Sequence, residues 1–211
     1  ETINNALAHR DYTINRQIIV IIKPNQHISI QNPGAFRKQL LIEYTRHTIP
    51  IRRISPESKA RNPKLAEVLR VYDKWEGRGI GMATLVNLCL QNEIDMPYYL
   101  LGTDEVTLFL QAGRLVDERM INLFRAFDGY IENKLQGISL TESQKRVLAY
   151  LIKSEEANSI ARYTIMLTPN NNHFSELHAL KEAKLIYEHE HSTPNQIIYV
   201  VDRTLIQTNY L

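Results

Sequence analysis

The sequence has little from which a disulfide scaffold or a membrane anchor could be built. Its 211 residues include one cysteine, Cys89, which excludes an internal disulfide. Cys89 lies in an apolar helical pattern that favours a buried thiol. The longest apolar run, at residues 18–22, is far shorter than the ~18 residues of a membrane span. No signal-peptide pattern opens the chain. These absences favour a globular, cytoplasmic protein without a membrane partner.

The chain also lacks a large excess of charge of one sign, since its formal net charge is only +2. Its distribution is uneven. Residues 37–78 hold 11 Lys and Arg against 5 Asp and Glu, and the remainder holds 14 against 18. A basic segment within a slightly acidic chain favours a phosphate-bearing ligand, although a solvated loop would have the same composition.

In the first half of the chain, β-branched residues over 16–22 predict a strand, and residues 27–31 predict its hairpin partner across a turn at 24–26. The stretch 36–58 lacks a clean period and predicts a long irregular segment. The remaining predicted elements are a helical end at 1–9, helices at 61–72 and 82–91, and a strand at 106–110. Asn62 is the predicted N-cap of the helix at 61–72.

The second half predicts a polar helical connector over 117–135 and an amphipathic helix over 140–153, with Thr141 as its N-cap. Further helices are predicted at 159–167 and 173–184, and strands at 186–191 and 197–201. Three helices followed by a β-hairpin are the order of a winged helix. The predicted fold class is therefore α+β, with a nucleotide-binding domain at 1–112, a helical connector at 113–138 and a winged helix at 139–211.

One polar constellation lies in the first helix, where Glu1, Asn5 and His9 share a face at i, i+4 and i+8. A carboxylate one turn from a carboxamide presents a general base and a Mg²⁺ ligand toward the same triphosphate. In that interpretation Glu1 is the catalytic base and Asn5 the metal ligand, with His9 beside the nucleotide. The same spacing also fits the solvated face of an ordinary helix.

Two turns complete the candidate site. Gly77, Gly79 and Gly81 precede a helix, so that the backbone could approach a phosphate at a helix N-terminus, with Arg78 adding charge. No Gly-Lys-Ser/Thr follows, which excludes a Walker A loop. The second turn, at residues 32–34 (NPG), directly follows a strand. The glycine-rich loop is equally typical of a purely structural turn, and for the 32–34 turn the structural interpretation is the default.

In this order, the segments 5–12 (NALAHRDY), 32–34 (NPG), 61–63 (RNP) and 76–81 (EGRGIG) resemble the C-terminal region of bacterial RecG-related transcriptional regulators. Those proteins are similar in arrangement to the GHKL ATPases, an α/β sandwich. The resemblance covers about residues 1–111. It implies ATP and Mg²⁺ as ligands, bound by Asn5, His9, Asn32, Gly34, Arg61 and the 77–81 loop. It also implies an upstream AlbA/Schlafen-like domain, in line with a chain that starts at Glu1 inside a helical pattern.

The sequence departs from the GHKL pattern at one turn, where Asn32 stands in place of the aspartate that reads adenine. An amide still offers both a donor and an acceptor to a base edge. An active ATPase would need Glu1 as its base, and we expect Glu1→Ala to keep binding while losing turnover. A helicase activity is not expected, because the chain has no Walker A loop.

The C-terminal domain is predicted to contact DNA through its third helix. The candidate DNA-binding residues are Asn171, Asn172, His173, Ser175 and Lys181. The stretch 139–211 has 7 Lys and Arg against 8 Asp and Glu, which leaves little excess charge for phosphate contacts. Winged helices also serve as dimerisation modules. His189 and His191 share a strand face, but two such ligands do not define a metal site.

The leading hypothesis from the sequence is a DNA-binding regulator that carries a nucleotide-binding domain and forms a homodimer. The rival hypothesis is a structural module in which that domain has lost its ligand and mediates dimerisation or protein docking. Nucleotide binding distinguishes the two hypotheses, because only the first predicts it.

Overall fold

A computed structural model of the chain describes residues 2–46, 49–56, 59–74, 81–157, 162–167, 173–194 and 196–206. These residues form two compact units. Unit 1 comprises Glu1–Val86, Pro97–Ala112 and Asn158–Met166. Unit 2 comprises Asn87–Met96, Gly113–Ala157 and Leu167–Leu211. The chain therefore passes between the two units more than once.

Unit 1 is built on a seven-stranded sheet, counted over the described residues. Its strands are β1 (Ile19–Lys23), β2 (His27–Pro33), β3 (Leu41–Arg46), β4 (Ile49–Ile54), β5 (Tyr98–Leu101), β6 (Glu105–Gln111) and β7 (Tyr163–Ile165). The spatial order is β1-β2-β6-β5-β7-β4-β3. Only the β4–β7 pair is parallel among these neighbours. The mostly antiparallel sheet with helices agrees with the predicted α+β class.

The predicted hairpin at 16–31 is confirmed as β1 and β2, whose register pairs Ile21 with Ser29. Alternation along the strands then sorts side chains between the two faces of the sheet. Ile30 and Asn32 of β2 pair with Leu108 and Val106 of β6, so these four side chains share one face. That face lines a cavity of unit 1.

Within the described ranges, three α-helices belong wholly or partly to unit 1: α1 (Thr2–His9), α2 (Pro63–Val71) and the first half of α3 (Gly81–Asn92). The predicted helices at 1–9, 61–72 and 82–91 are thereby confirmed. Asn62 occupies the N-cap position of α2, but its side chain makes no capping bond. Its Nδ2 instead donates to the carbonyl oxygens of Ala8 (3.1 Å) and Arg10 (2.7 Å), which fastens α2 to the end of α1.

Two predictions of local structure were wrong. The segment 36–58, predicted to be irregular, contains β3 and β4, because cross-strand pairing rather than a clean sequence period decides strand formation there. The helix predicted over 159–167 is replaced at Tyr163–Ile165 by β7, which lies between β5 and β4. Pairing on both edges and burial of Thr164 and Ile165 outweigh the helical pattern.

Unit 2 contains most of the remaining helices and a short hairpin. Its elements are α4 (Glu118–Ala126), α5 (Asp128–Lys134), α6 (Glu142–Ala157), α7 (Phe174–Glu182), β8 (Ile186–Glu188) and β9 (Tyr199–Val201), with the second half of α3. The predicted cap at Thr141 is confirmed as a reciprocal pair with Gln144. The Gln144 amide donates to Thr141 Oγ1 (3.2 Å), and the Thr141 amide donates to Gln144 Oε1 (2.9 Å).

A buried ion network fixes α6 within unit 2. Lys153 is 7% exposed, and its Nζ lies 2.9 Å from Asp95 Oδ1 and 2.8 Å from Asp117 Oδ2. The same Nζ donates to the Arg114 carbonyl oxygen at 3.0 Å. A buried ammonium requires such partners, so Lys153 ties α6 to the segments on either side of β5 and β6 in the sequence.

Among the described residues, no helix is long and apolar enough to cross a bilayer.

Candidate nucleotide site

A cavity in unit 1 collects side chains from segments that are distant in sequence. It encloses about 850 Å³ of space free of protein atoms, part of it open to solvent. The lining residues come from α1 (Thr2, Asn5, Ala6, His9), β2 (Ile30, Asn32), the segment after β2 (Gly34, Ala35, Phe36, Arg37, Leu40), the segment before α2 (Lys59, Arg61), the start of α3 (Gly81, Met82, Leu85) and strands β5 and β6 (Tyr99, Val106, Leu108).

Most of the cavity wall is apolar. Ile30, Val106 and Leu108 contribute from the sheet, and all three are buried. Phe36 packs edge-to-face on Tyr99, with ring centroids 5.2 Å apart. An apolar wall with aromatic rings suits a flat, uncharged ligand group such as a base, because burial of its faces displaces water from both surfaces.

Asn32 adds a polar group to the sheet side of this wall. Asn32 Nδ2 donates to the Ala6 carbonyl oxygen at 3.1 Å. That bond orients the carboxamide, since the amide nitrogen is committed to α1. Asn32 Oδ1 is buried, and no donor among the described residues bonds to it. A buried acceptor without a donor is costly, so the cavity favours a ligand that supplies an N–H at this point.

Three cationic side chains also line the cavity, namely Arg37, Lys59 and Arg61. His9 lies in the same lining. Burial, together with the positive charges of Arg37 and Arg61, lowers the pKa of His9 below its ordinary value. His9 is therefore neutral at pH 7, and the positive charge of this region comes from the arginines and the lysine. Three such cations favour an anionic ligand group.

The position of the Arg61 side chain is fixed by an ion pair with Asp11 and a hydrogen bond to Ala35, in the turn after β2. Arg61 Nη1 pairs with Asp11 Oδ2 at 2.5 Å, and Nη2 donates to the Ala35 carbonyl oxygen at 2.7 Å. Hydrogen bonds from Thr13, together with Arg61, lower the pKa of Asp11. Asp11 thus stays ionised, and its charge holds the guanidinium beside the cavity.

The turn after β2 requires a glycine at position 34, because Asp11 and Arg61 lie close to its Cα. Its φ is +115°, a region that favours glycine. A Cβ at this position would lie 3.0 Å from Asp11 Cβ and 3.5 Å from Arg61 Cζ. The Gly34 amide donates to the Asp104 carbonyl oxygen at 2.8 Å, which holds the turn against the sheet. The turn in the NPG segment therefore serves chain geometry as well as lining the cavity.

The structure brings six of the residues singled out in the sequence into this one cavity: Asn5, His9, Asn32, Gly34, Arg61 and Gly81. Glu1, Gly77, Arg78 and Gly79 lie outside the described residues. The predicted general base and most of the predicted phosphate loop therefore stay predictions.

The described lining residues contain few groups that could bind a bare metal ion. Among the described lining residues none is Asp or Glu, and Asn5 is the predicted ligand that lies there. No group of three or more His, Cys, Asp or Glu side chains in the described part of the chain could hold a metal. Such a lining suits Mg²⁺ that arrives on phosphate oxygens and keeps several waters.

Sequence reasoning missed part of the lining. Phe36 and Tyr99 carried no signal, because aromatic residues at these positions are equally typical of a core. Arg37 and Lys59 could have been found, since both lie in the basic stretch 37–78. No local pattern indicated which cations of that stretch converge.

The residues predicted to contact DNA lie in unit 2. Asn171 and Asn172 fall outside the described residues. His173, just before α7, is 7% exposed, and burial lowers its pKa. Ser175 Oγ donates to Glu176 (2.9 Å) and Lys181 Nζ pairs with Glu188 (2.6 Å). Their role in DNA recognition stays a prediction.

Part of the chain that forms this cavity matches a known protein family. Residues 15–110 match the family described as "Putative ATP-dependent DNA helicase recG C-terminal". The matched segment is a little under half of the chain and contains β1 to β6. It is therefore similar to an ATPase-type domain found at the C-terminus of RecG-related proteins. Helix α1, which supplies Asn5 and His9, precedes the matched segment.

Among solved structures, the chain is similar to the DIP2311 protein from Corynebacterium diphtheriae. The two share 17% sequence identity with a TM-score of 0.45. The comparison covers 96% of this chain and 39% of that protein, so the chain spans well under half of its length. A comparison with curated proteins gave no match.

Proposed function

We propose that unit 1 binds adenosine triphosphate, and that the chain is the nucleotide-binding part of a DNA-binding regulator. The observation that carries the first proposal is the composition of the cavity. An apolar, aromatic wall holds one buried acceptor without a donor, and three cations line the same space. The family match of residues 15–110 supports a nucleotide as the ligand.

The direction of the Asn32 carboxamide supports adenine as the base of the proposed ligand. Because Nδ2 is bonded to Ala6, the acceptor Oδ1 is the group left for a ligand. The exocyclic amino group of adenine is a donor and would satisfy it. Guanine carries a carbonyl oxygen at the equivalent position, which would place two acceptors against each other. We therefore expect adenine nucleotides to bind more tightly than guanine nucleotides.

The three cations that line the cavity support a triphosphate as the anionic part of the proposed ligand. Arg61 has five N–H donors and commits only part of them to Asp11 and Ala35, so it retains donors for a phosphate oxygen. Arg37 and Lys59 are exposed and can follow a flexible triphosphate. Asn5 supplies a carboxamide oxygen to the Mg²⁺ that accompanies the nucleotide.

Isothermal titration with Mg-ATP and Mg-GTP tests this proposal. Loss of one hydrogen bond corresponds to roughly 1 kcal/mol, so Asn32→Leu should weaken ATP binding by about fivefold to tenfold and reduce the preference over GTP. Asn15→Leu, at an exposed position of the same unit, is the matched control. Absence of saturable ATP binding by the folded wild-type chain would overturn the proposal.

DNA binding is proposed from the arrangement predicted for the C-terminal part. Of the predicted winged-helix elements, helices α6 and α7 and the β8–β9 hairpin are present in unit 2, whereas the segment predicted as the middle helix forms β7 of unit 1. Fluorescence anisotropy with a duplex, over a range of salt concentrations, tests the proposal. Lys181→Ala should weaken binding and flatten the salt dependence more than Lys184→Ala does. A folded chain that shows no salt-dependent binding would contradict it.

The alternative function is a dimerisation module that ignores nucleotide. The exposed apolar strand at one edge of the unit 1 sheet favours an association role. Because the two functions use different surfaces, they are compatible, and titration with nucleotide decides whether the cavity is also used.

A further inference from the structure

Arg61 is held at both its backbone and its side chain. The backbone amide of Asn62, the next residue, donates to the Ala8 carbonyl oxygen at 3.0 Å. The guanidinium group of Arg61 pairs with Asp11 and donates to the Ala35 carbonyl oxygen. These two bonds engage two of the five N–H groups of an arginine, counted over the described residues, so donors remain for a ligand. Arg61 is therefore a cation whose position is fixed before any ligand binds.

Asn32 is attached to the same short segment of chain. Its Nδ2 donates to the Ala6 carbonyl oxygen at 3.1 Å, and the Arg10 backbone amide donates to the same oxygen at 2.8 Å. The buried acceptor of Asn32 and the guanidinium of Arg61 are thus both bonded to residues 6–11. Because one segment holds both groups, the distance between them is set by the protein rather than by the ligand.

The other two cations of the cavity lining are placed differently. Arg37 and Lys59 are exposed, with long side chains that can adopt several rotamers. A fixed cation suits a ligand group that also lies at a nearly constant distance from the base, because little ordering is then needed on binding. In a nucleotide that group is the first phosphate, which only the ribose separates from the base. Each further phosphate adds bonds about which the ligand rotates, and such a group suits a flexible cation.

We infer that Arg61 binds the first phosphate, so that the unit recognised by the cavity is adenosine 5′-monophosphate (AMP), while Arg37 and Lys59 contact the later phosphates. The inference rests on the proposed binding of an adenine nucleotide and specifies which part of that ligand the fixed groups recognise. The planar guanidinium can offer two N–H groups to two oxygens of one phosphate, which a single ammonium cannot do in the same geometry. AMP, ADP and ATP should therefore share the larger part of their affinity, and adenosine should lack it.

Isothermal titration of the chain with adenosine, AMP and Mg-ATP tests the inference. AMP should bind the wild type about tenfold more tightly than adenosine, because hydrogen bonds to a charged group are stronger than those between neutral groups. Arg61→Gln should remove most of this difference and leave the ratio of ATP to AMP affinity unchanged. Arg37→Gln should have the opposite effect, with a lower ratio of ATP to AMP affinity and an AMP preference over adenosine like that of the wild type.

Two further variants control for folding and for net charge. Arg61→Lys keeps the charge without the planar fork, so its AMP preference over adenosine should lie between those of the wild type and Arg61→Gln. Arg70→Gln removes a cation of α2 whose side chain is 62% exposed and does not line the cavity. That variant should bind all three ligands like the wild type, and circular dichroism checks that each variant is folded.

The outcomes separate this inference from the proposed function. Equal affinities of the wild type for AMP and adenosine would overturn the inference, although ATP still binds. The same conclusion would follow if folded Arg61→Gln kept the AMP preference and lost affinity only for ATP. A folded wild-type chain that binds none of the three ligands would overturn the proposed nucleotide binding and this inference with it.

Discussion

The turn at Gly34 follows strand β2 and lies against Asp11 and Arg61. The substitution Gly34→Ala, which adds one methyl group, tests how closely this turn is packed. In Gly34→Ala the new Cβ would lie 3.0 Å from Asp11 Cβ and 3.4 Å from the Asp11 amide nitrogen. The φ of +115° is also unfavourable for alanine. The Asp11 backbone donates to the Pro33 carbonyl oxygen at 2.8 Å, so it cannot move away without breaking a bond.

The expected cost has two parts. The backbone conformation costs about 1–3 kcal/mol for a residue with a Cβ. Crowding against backbone atoms adds about 1 kcal/mol, because the neighbours must give by a few tenths of an ångström. We therefore expect Gly34→Ala to lower the free energy of unfolding of unit 1 by about 2–4 kcal/mol. Because Asn32 and Arg61 flank this turn, adenine-nucleotide affinity should fall as well.

Urea unfolding followed by circular dichroism measures this change. Gly129→Ala is the matched control, since Gly129 lies in α5 and a Cβ there meets nothing within 4 Å. That variant should be stabilised by roughly 0.5–1 kcal/mol, because alanine favours helix. Unfolding of Gly34→Ala at the same urea concentration as the wild type would refute the close contact between this turn and Asp11.

Three further predictions concern buried ionisable groups. Lys153→Met should lower the free energy of unfolding of unit 2 by about 3 kcal/mol, because Asp95 and Asp117 lose their buried counter-ion. Urea titration measures this change, and an unchanged midpoint would contradict it. The pKa of His9 is lowered from 6.5, so the unfolded chain binds more protons than the folded chain below about pH 6.5, and the free energy of unfolding should fall as the pH drops through that range. His9→Gln should lose less stability between pH 7 and pH 5 than the wild type. Equal losses in the two proteins would argue against a lowered pKa of His9. Burial raises the pKa of the Cys89 thiol to about 11, so iodoacetamide should react at pH 7 only after unfolding, and rapid labelling of the folded chain would exclude the buried thiol.

Local sequence signals were sufficient where neighbouring residues decide the structure. The β-branched run before residue 23 and the turn at 24–26 predicted the β1–β2 hairpin, and its register agrees with that turn. Thr141 predicted the start of α6, because a capping pair needs only residues three apart. Both features depend on contacts within a few positions of the chain.

Local signals failed where distant partners decide the structure. Tyr163–Ile165 has a pattern compatible with helix, yet it forms β7 between two strands contributed by other segments. Asn62 occupies the predicted N-cap position of α2, but its side chain makes no capping bond and donates instead to carbonyl groups at the end of α1. In both cases, bonds across a large sequence separation replaced the local preference.

By itself, the sequence determined the α+β class, most helices and the first hairpin, and it singled out Asn5, His9, Asn32, Gly34 and Arg61. These follow from periodicity, turn chemistry and motif order, which are properties of neighbouring residues. Only the tertiary structure decided that those residues share one cavity with Phe36 and Tyr99, and that the Asn32 oxygen is left there without a donor among the described residues. Convergence of this kind depends on sheet register and helix packing, which bring together residues that are far apart in the chain.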